Sequence, residues 1–112
     1  TALLRLNGHE RFSKRGMGYF SRVQKYQHHS GAKSGVTAAN DNLCVYSFAL
    51  QPEEHQPSGT CNFSRIDNAM LELDGLTTTQ NPTTEKNCVD VYAMNYNVLR
   101  VMSGMGGLAY SN

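Results

Sequence analysis

The sequence predicts an all-β chain of the jelly-roll sandwich class. Several segments alternate apolar and polar residues with the period of two that is typical of strands. The connections between them are rich in turn-forming residues, and no amphipathic helix pattern is present. Only about five strands can be counted in the 112 residues, whereas a jelly roll needs eight. We therefore expect either an open partial sheet or the later part of a longer barrel.

The first strand is predicted at residues 3–7, where leucine alternates with polar residues. Asn7-Gly8 follows it and favours a tight turn. Residues 12–35 are polar and contain several glycines, so we expect a long loop there. Within that loop we expect at most a short extended piece at residues 19–23.

Residues 43–50 show the clearest strand pattern in the chain. Tyr46, Phe48 and Leu50 fall on one face, and aromatic and β-branched residues at this period favour a strand over a helix. Residues 51–59 then contain two prolines and a Pro-Ser-Gly turn, which cannot continue a central strand ladder.

Two further strand candidates lie in the middle of the sequence. The first spans residues 61–66 and the second spans residues 69–73, with a bend expected between them at Asp67-Asn68. Residues 76–87 are rich in threonine, asparagine and glutamine, which predicts a surface loop.

Residues 88–102 form the longest predicted extended run. One face of this run is apolar and the other mixes alanine with amides, as in a strand whose second face is wet or lies at an interface. A small-residue tail follows at residues 103–110. It is either disordered or held by the apolar anchors Leu108 and Tyr110, and we favour the second interpretation.

Composition narrows the classes of function. The formal net charge is +1, too small an excess for dense phosphate binding, so we predict no direct contact with nucleic acid. No apolar stretch approaches the ~20 residues that a membrane span needs. Cys44, Cys61 and Cys88 form no CxxC pair, so we expect free thiols rather than a disulfide framework.

A specific family likeness lies in three stretches of the sequence. They are residues 4–12 with 19–20 and 23–29, residues 46–50 with 57–67, and residues 92–100 with 103–110. Together they resemble the carboxyl end of the major capsid proteins of nucleocytoplasmic large DNA viruses, of the chlorella-virus and iridovirus types. The run PSGTCNFSRID at residues 57–67 is too long for chance agreement. Two places depart from the family pattern: Lys25, where relatives often carry proline, and the long stretch 32–42.

The resemblance implies a double jelly roll, in which two barrels stand side by side in each chain. Residues 1–112 would then be a fragment of a longer chain, the C-terminal part of its second jelly-roll domain. The partners implied are two further copies in a homotrimer, neighbouring capsomers and minor capsid proteins. Each trimer would be a pseudo-hexameric capsomer, and capsomers would tile an icosahedral shell around an inner membrane that they touch only indirectly. The protein would be assembled in the host cytoplasm and reside in the virion capsid.

No pattern of catalytic, cofactor-binding or metal-binding residues stands out, so we predict no enzyme and no cofactor. His28-His29 would point to opposite faces of a strand and has no third ligand at a suitable spacing. Glu53-Glu54-His55 lies in a proline-flanked turn with no matched nucleophile.

Four residues are predicted to have structural or interface roles: Arg65, Asp67, Leu108 and Tyr110. Arg65 and Asp67 lie two residues apart and would pair with each other or across a subunit boundary, where an exposed pair contributes roughly 0–1 kcal/mol. Asn62 begins a formal N-glycosylation sequon. The free thiols expected here argue against host-type glycosylation, so we favour a structural role for the Asn62 amide in its loop.

Two other functions remain open. A carbohydrate-binding jelly-roll module would present Tyr92 and Tyr96 near Asn95 and Asn97, although tryptophan is absent. A cupin-like enzyme would need a His-x-His and a following glutamate, and the sequence lacks that ligand pattern.

Overall fold

The computed structural model describes residues 1–30, 43–75 and 89–110. The chain divides into two compact units, Thr1–Asn81 and Pro82–Asn112. The first unit contains a three-stranded sheet and a short helical segment, and the second contains a two-stranded hairpin. Strand exceeds helix in the described residues, so the predicted β-rich class is confirmed. Within these residues, no helix is long and apolar enough to cross a membrane.

The sheet of the first unit consists of β1 (Ala2–Leu6), β2 (His9–Glu10) and β3 (Ala69–Leu73), in the order β2-β1-β3. Both pairings are antiparallel, and Leu4 of β1 lies opposite Leu71 of β3. The strands predicted at residues 3–7 and 69–73 are therefore confirmed to within one residue.

Asn7 has two separate functions in this sheet. It takes a positive φ of 52°, followed by Gly8 at 79°, which gives the tight two-residue turn that the Asn-Gly pair predicts between β1 and β2. Its side-chain Oδ1 also accepts hydrogen bonds from the backbone N–H of Asp67 at 2.9 Å and of Asn68 at 3.2 Å. Asn7 thereby fastens the β1–β2 turn to the bend that precedes β3.

The expectation of an extended piece at residues 19–23 is wrong. Tyr19–Val23 forms a π-helical turn that continues directly into α1 (Gln24–His28). The helical path places Phe20, Ser21 and Gln24 together in the interior, because positions four residues apart share one helix face. Gln24 donates through Nε2 to the Tyr19 hydroxyl at 2.8 Å.

The strand predicted at residues 43–50 is also wrong, although its aromatic face is correct. The segment forms no strand. The Val45 N–H donates to the Phe20 carbonyl at 3.1 Å, and the Ser47 hydroxyl donates to the Ala49 carbonyl and accepts from the Ala49 N–H. Tyr46 and Phe48 do lie together, with ring centroids 5.1 Å apart. Leu50, predicted on the same face, is 71% exposed.

The loop after residue 50 is tied to the end of α1 by the carboxylate of Glu53. That carboxylate accepts hydrogen bonds from the Ser30 hydroxyl, from the Ser30 N–H at 3.1 Å and from His29 Nδ1 at 3.3 Å. His28 Nδ1 adds a bond to the Leu50 carbonyl at 2.9 Å. The acidic turn noted in the sequence thus holds two chain segments together.

The second unit is a hairpin of β4 (Leu99–Met102) and β5 (Met105–Leu108). The extended run predicted for residues 88–102 is a strand only in its last part, and Cys88 lies outside the described residues. Its predicted apolar face is not buried in this chain, since Tyr92 is 88% exposed and Met94 fully so. The predicted small-residue tail is instead a strand, because Ser103 and Gly104 take positive φ values of 51° and 76° and reverse the chain.

Replacing Asn7 separates its two functions. Asn7→Gly keeps the left-handed turn but loses the acceptor, which should lower the free energy of unfolding by about 1 kcal/mol. Asn7→Ala also strains the turn and should cost about 2 kcal/mol in all. Asn7→Asp keeps both features and should stay near wild type. Urea unfolding of the full-length gene product measures the series, and equal stability of all variants would contradict it.

The Glu53 contact should depend on acidity. Hydrogen bonds from the Ser30 side chain and backbone, and then from His29, hold the pKa of Glu53 below its ordinary 4.5. A lowered pKa means that the stabilisation is present above pH 4.5 and is lost as the pH falls through the folded value. We expect the hydrogen-exchange protection of the Ser30 amide to fall in that range.

Glu53→Gln should weaken this protection at neutral pH and remove its acid dependence, whereas the neighbouring Glu54→Gln should retain both. Protection that stays constant in the wild-type protein as the pH is lowered through this range would show that Glu53 does not hold the Ser30 amide.

The turn of the β4–β5 hairpin can be improved. Ser103 is strained at a φ of 51°, where asparagine and glycine are favoured. Ser103→Asn should raise the free energy of unfolding by about 0.5 kcal/mol, and Ser103→Val should lower it by about 1 kcal/mol. Thermal unfolding of the full-length gene product measures both changes, and a lower melting temperature for the Asn variant would refute the turn assignment.

Candidate functional site

Residues 62–68, called the 62–68 turn below, contain three of the residues singled out from the sequence. The strand expected at residues 61–66 is wrong, because Phe63–Arg65 forms a single 3-10 turn. Asn62 Oδ1 accepts a hydrogen bond from the Ser64 N–H at 3.1 Å, and the Ile66 N–H donates to the Phe63 carbonyl at 3.1 Å. These local bonds use the backbone groups that a strand would offer to its neighbour.

Both ends of the 62–68 turn are fixed by asparagine side chains. Asn62 caps its start, and Asn7 receives the N–H groups of Asp67 and Asn68 at its end. The bend predicted at Asp67 is present. Asn62 makes the kind of loop hydrogen bond expected from the sequence, and glycosylation at this exposed residue stays a prediction.

A row of aromatic rings supports the turn from within the first unit. Phe63 stands edge-on to Phe48 at 5.7 Å, and Phe48 stands edge-on to Tyr46 at 5.1 Å. Tyr46 contacts Phe12 at 4.9 Å, and Phe12 contacts Phe20 at 5.4 Å. Such ring pairs contribute about 0.5–1.5 kcal/mol each beyond the area that they bury. Burial raises the pKa of the Tyr46 hydroxyl, with Arg11 acting in the opposite direction.

Gly59 lets the chain pass close to this row. An added Cβ at Gly59 would lie 3.0 Å from the backbone oxygen of Phe48, and the φ of Gly59 is +153°. A side chain at this position would push the loop away from Phe48. The Pro-Ser-Gly sequence thus does more than reverse the chain, because its glycine permits the contact that brings Phe63 over Phe48.

Arg65 and Asp67 are both exposed at the surface of the turn. No ion pair joins them to each other or to any other described residue. By contrast, Arg5 lies 3.3 Å from Glu72 across the nearby sheet. Of the two pairing schemes expected from the sequence, the one within the turn is wrong, and pairing across a subunit boundary stays a prediction.

The two interface candidates of the second unit lie on and beside β5. Leu108 is opposite Leu99 and is 65% exposed, and Tyr110 is 60% exposed. The backbone of Tyr110 is held by the side chain of Asn97, whose Nδ2 donates to the Tyr110 carbonyl at 2.8 Å and whose Oδ1 accepts from its N–H at 3.1 Å. The interface role of Leu108 and Tyr110 stays a prediction.

Asn97 and Asn7 are the residues that the sequence did not single out for these tasks. In each case the side-chain amide bonds to backbone groups at the end of a strand pair, where a neighbouring strand would otherwise supply the partner. The Asn-Gly pair marked a turn at Asn7 but could not reveal an acceptor for residues sixty positions away. The engagement of Asn97 also removes one of the amides considered for a carbohydrate site.

Several titratable groups are used in structural contacts. In the described residues, no group of three or more histidine, cysteine or acidic residues is arranged to hold a metal ion. His28 and His29 bond to Leu50 and Glu53. Cys61 is a free thiol. A contact between Lys14 and Asp74 raises the pKa of the lysine and lowers that of the carboxyl.

Comparisons with known proteins place this arrangement in a family. Residues 1–107 match the model of the large eukaryotic DNA virus major capsid protein. The chain is 62% identical to the major capsid protein of Phaeocystis pouchetii virus, with 99% of this chain and 20% of that protein covered. It is 53% identical to the major capsid protein of Pyramimonas orientalis virus, with 100% of this chain and 31% of that protein covered.

A solved structure extends the likeness to three dimensions. The quasi-atomic model of the PBCV-1 virus capsid aligns with 99% of this chain at 41% identity and a TM-score of 0.66, and 30% of that capsid chain is covered. The chain thus spans between about a fifth and a third of the length of these relatives. With the family match extending over 107 residues, the chain belongs to the large eukaryotic DNA virus major capsid protein family.

Proposed function

We propose that this chain is part of a structural major capsid protein, in which it supplies the later strands of the second barrel of a double jelly roll. Three copies form a pseudo-hexameric capsomer, and capsomers tile an icosahedral virus shell. The observation that carries the proposal is the family match along residues 1–107, together with the likeness to a capsid chain at a TM-score of 0.66.

The distribution of apolar surface supports this proposal. The interior of the described residues is thin, with only Ala2, Leu3, Phe20 and Ala49 as buried apolar residues. Along the hairpin, Val101 and Met105 are 67% and 75% exposed. A two-stranded hairpin is marginal by itself in water, and exposed apolar surface of this extent is typical of a protein contact. The remaining strands of a longer chain would cover it.

The contacts of the polar side chains fit an assembly protein better than an enzyme. Several of its histidines and acidic groups form structural contacts, and capsid building requires geometry rather than chemistry. Neighbouring capsomers and minor capsid proteins are the partners that we propose for it, and the virion capsid is its location. Contacts with an inner membrane are then indirect, and a closed shell multiplies many weak contacts into a stable whole.

The proposal predicts the oligomeric state of the full-length gene product. Light scattering should give the mass of a trimer, and negative-stain images of the same fraction should show a hexagonal outline. We expect the hexagonal outline because three chains with two barrels each place six barrels around the centre of the trimer. A clean monomer that binds glycans on an array would contradict the proposal and favour a carbohydrate-binding jelly-roll module.

A further inference from the structure

The 62–68 turn is held at both ends, and its charged side chains have no ion-pair partner among the residues that the structure describes. Two asparagine side chains fix its ends, and Phe63 rests edge-on against Phe48 at 5.7 Å. Holding a loop in one conformation before binding removes part of the entropic cost of association. Within residues 1–30, 43–75 and 89–110, Arg65 and Asp67 are exposed and form no ion pair. The turn therefore has the properties of a preorganised contact surface.

The charges on the turn are self-complementary. It presents one guanidinium and one carboxylate, two residues apart, and so has no net charge of its own. A partner of one charge sign, such as a nucleic acid or an acidic peptide, would be attracted by one group and repelled by the other. A second copy of the same turn, rotated by half a turn, would place each carboxylate against a guanidinium.

We propose that the 62–68 turn binds the 62–68 turn of a second copy of this chain across a two-fold axis, through reciprocal Arg65–Asp67 ion pairs. Phe63, which is 49% exposed, lies beside these groups and supplies apolar area to the same contact. The inference deepens the proposed function and rests on it, because it assigns one contact within the assembly.

The two-fold symmetry of this turn-to-turn contact determines which subunits of the shell it joins. In a contact across a two-fold axis, the same patch is used by both copies, whereas a three-fold ring joins two different patches head to tail. Reciprocal turn-to-turn pairing therefore does not build the trimer. It joins one capsomer to the next, so trimer formation and capsomer association can be measured separately.

The test uses charge reversal in the full-length gene product. Arg65→Asp leaves two carboxylates on the turn, and Asp67→Arg leaves two guanidinium groups. Both variants should form trimers like wild type, but each alone should show about tenfold weaker association between trimers, measured by sedimentation at low salt. The difference from wild type should shrink in 1 M salt, where the screening length is about 3 Å.

Restoration distinguishes pairing from a general loss of structure. The double variant, with Arg65→Asp and Asp67→Arg together, is again self-complementary and should recover wild-type association. An equimolar mixture of trimers of the two single variants should also associate, because an all-negative turn then meets an all-positive one. Phe63→Ala should weaken association in every one of these backgrounds.

Three results would overturn the inference. Single reversals that associate like wild type would show that the turn is not in the contact. Failure of both the double variant and the mixture, with trimers intact, would show that the two charges do not pair. A wild-type protein that stays monomeric would overturn the proposed function as well, and this result is distinct from the other two.

Discussion

The rest of the first unit depends on one contact, the hydrogen bonds that join the β1–β2 turn to the bend before β3. Asn7 makes it by serving at once as a left-handed turn residue and as the acceptor for two backbone N–H groups. Those bonds support the observed register of β3 on β1, in which Leu71 lies opposite Leu4. The same bonds fix the end of the 62–68 turn, so the register of the sheet and the position of the turn are linked.

Several segments of the described chain that alternate like strands are not paired with a neighbouring strand. Backbone groups near residue 47 and near residue 62 are satisfied by serine and asparagine side chains rather than by neighbouring strands. Apolar side chains such as Tyr92 and Met94 alternate as in a strand but remain exposed. The alternation of apolar and polar residues thus predicts more strands than are paired here. The hydrogen bonds show which of those strands find a partner among the described residues.

Much of the fold was predictable where the signal is local. The Asn7-Gly8 turn and the strands on either side of the first sheet followed from turn chemistry and period-two alternation. The predictions failed at Tyr19–Val23 and at residues 43–50, because helix or strand there depends on which surfaces are available to pack. Arg65 and Asp67 were found from their spacing, but their lack of mutual pairing required coordinates. Nothing in the sequence pointed to the contact of Asn97 with Tyr110, since the partner there is a backbone group.

The distance in sequence between β1 and β3 has a consequence for the order of folding. Asn7 and Asp67 are separated by 60 residues, and closing a loop of that length costs about 3.6 kcal/mol of chain entropy before any contact repays it. The β1–β2 turn and the helical segment need no such closure, so we expect them to form first and β3 to join late. Until then the apolar strands stay open to other chains, and aggregation competes with assembly. Contacts that capture β3 early would therefore raise the yield of native protein.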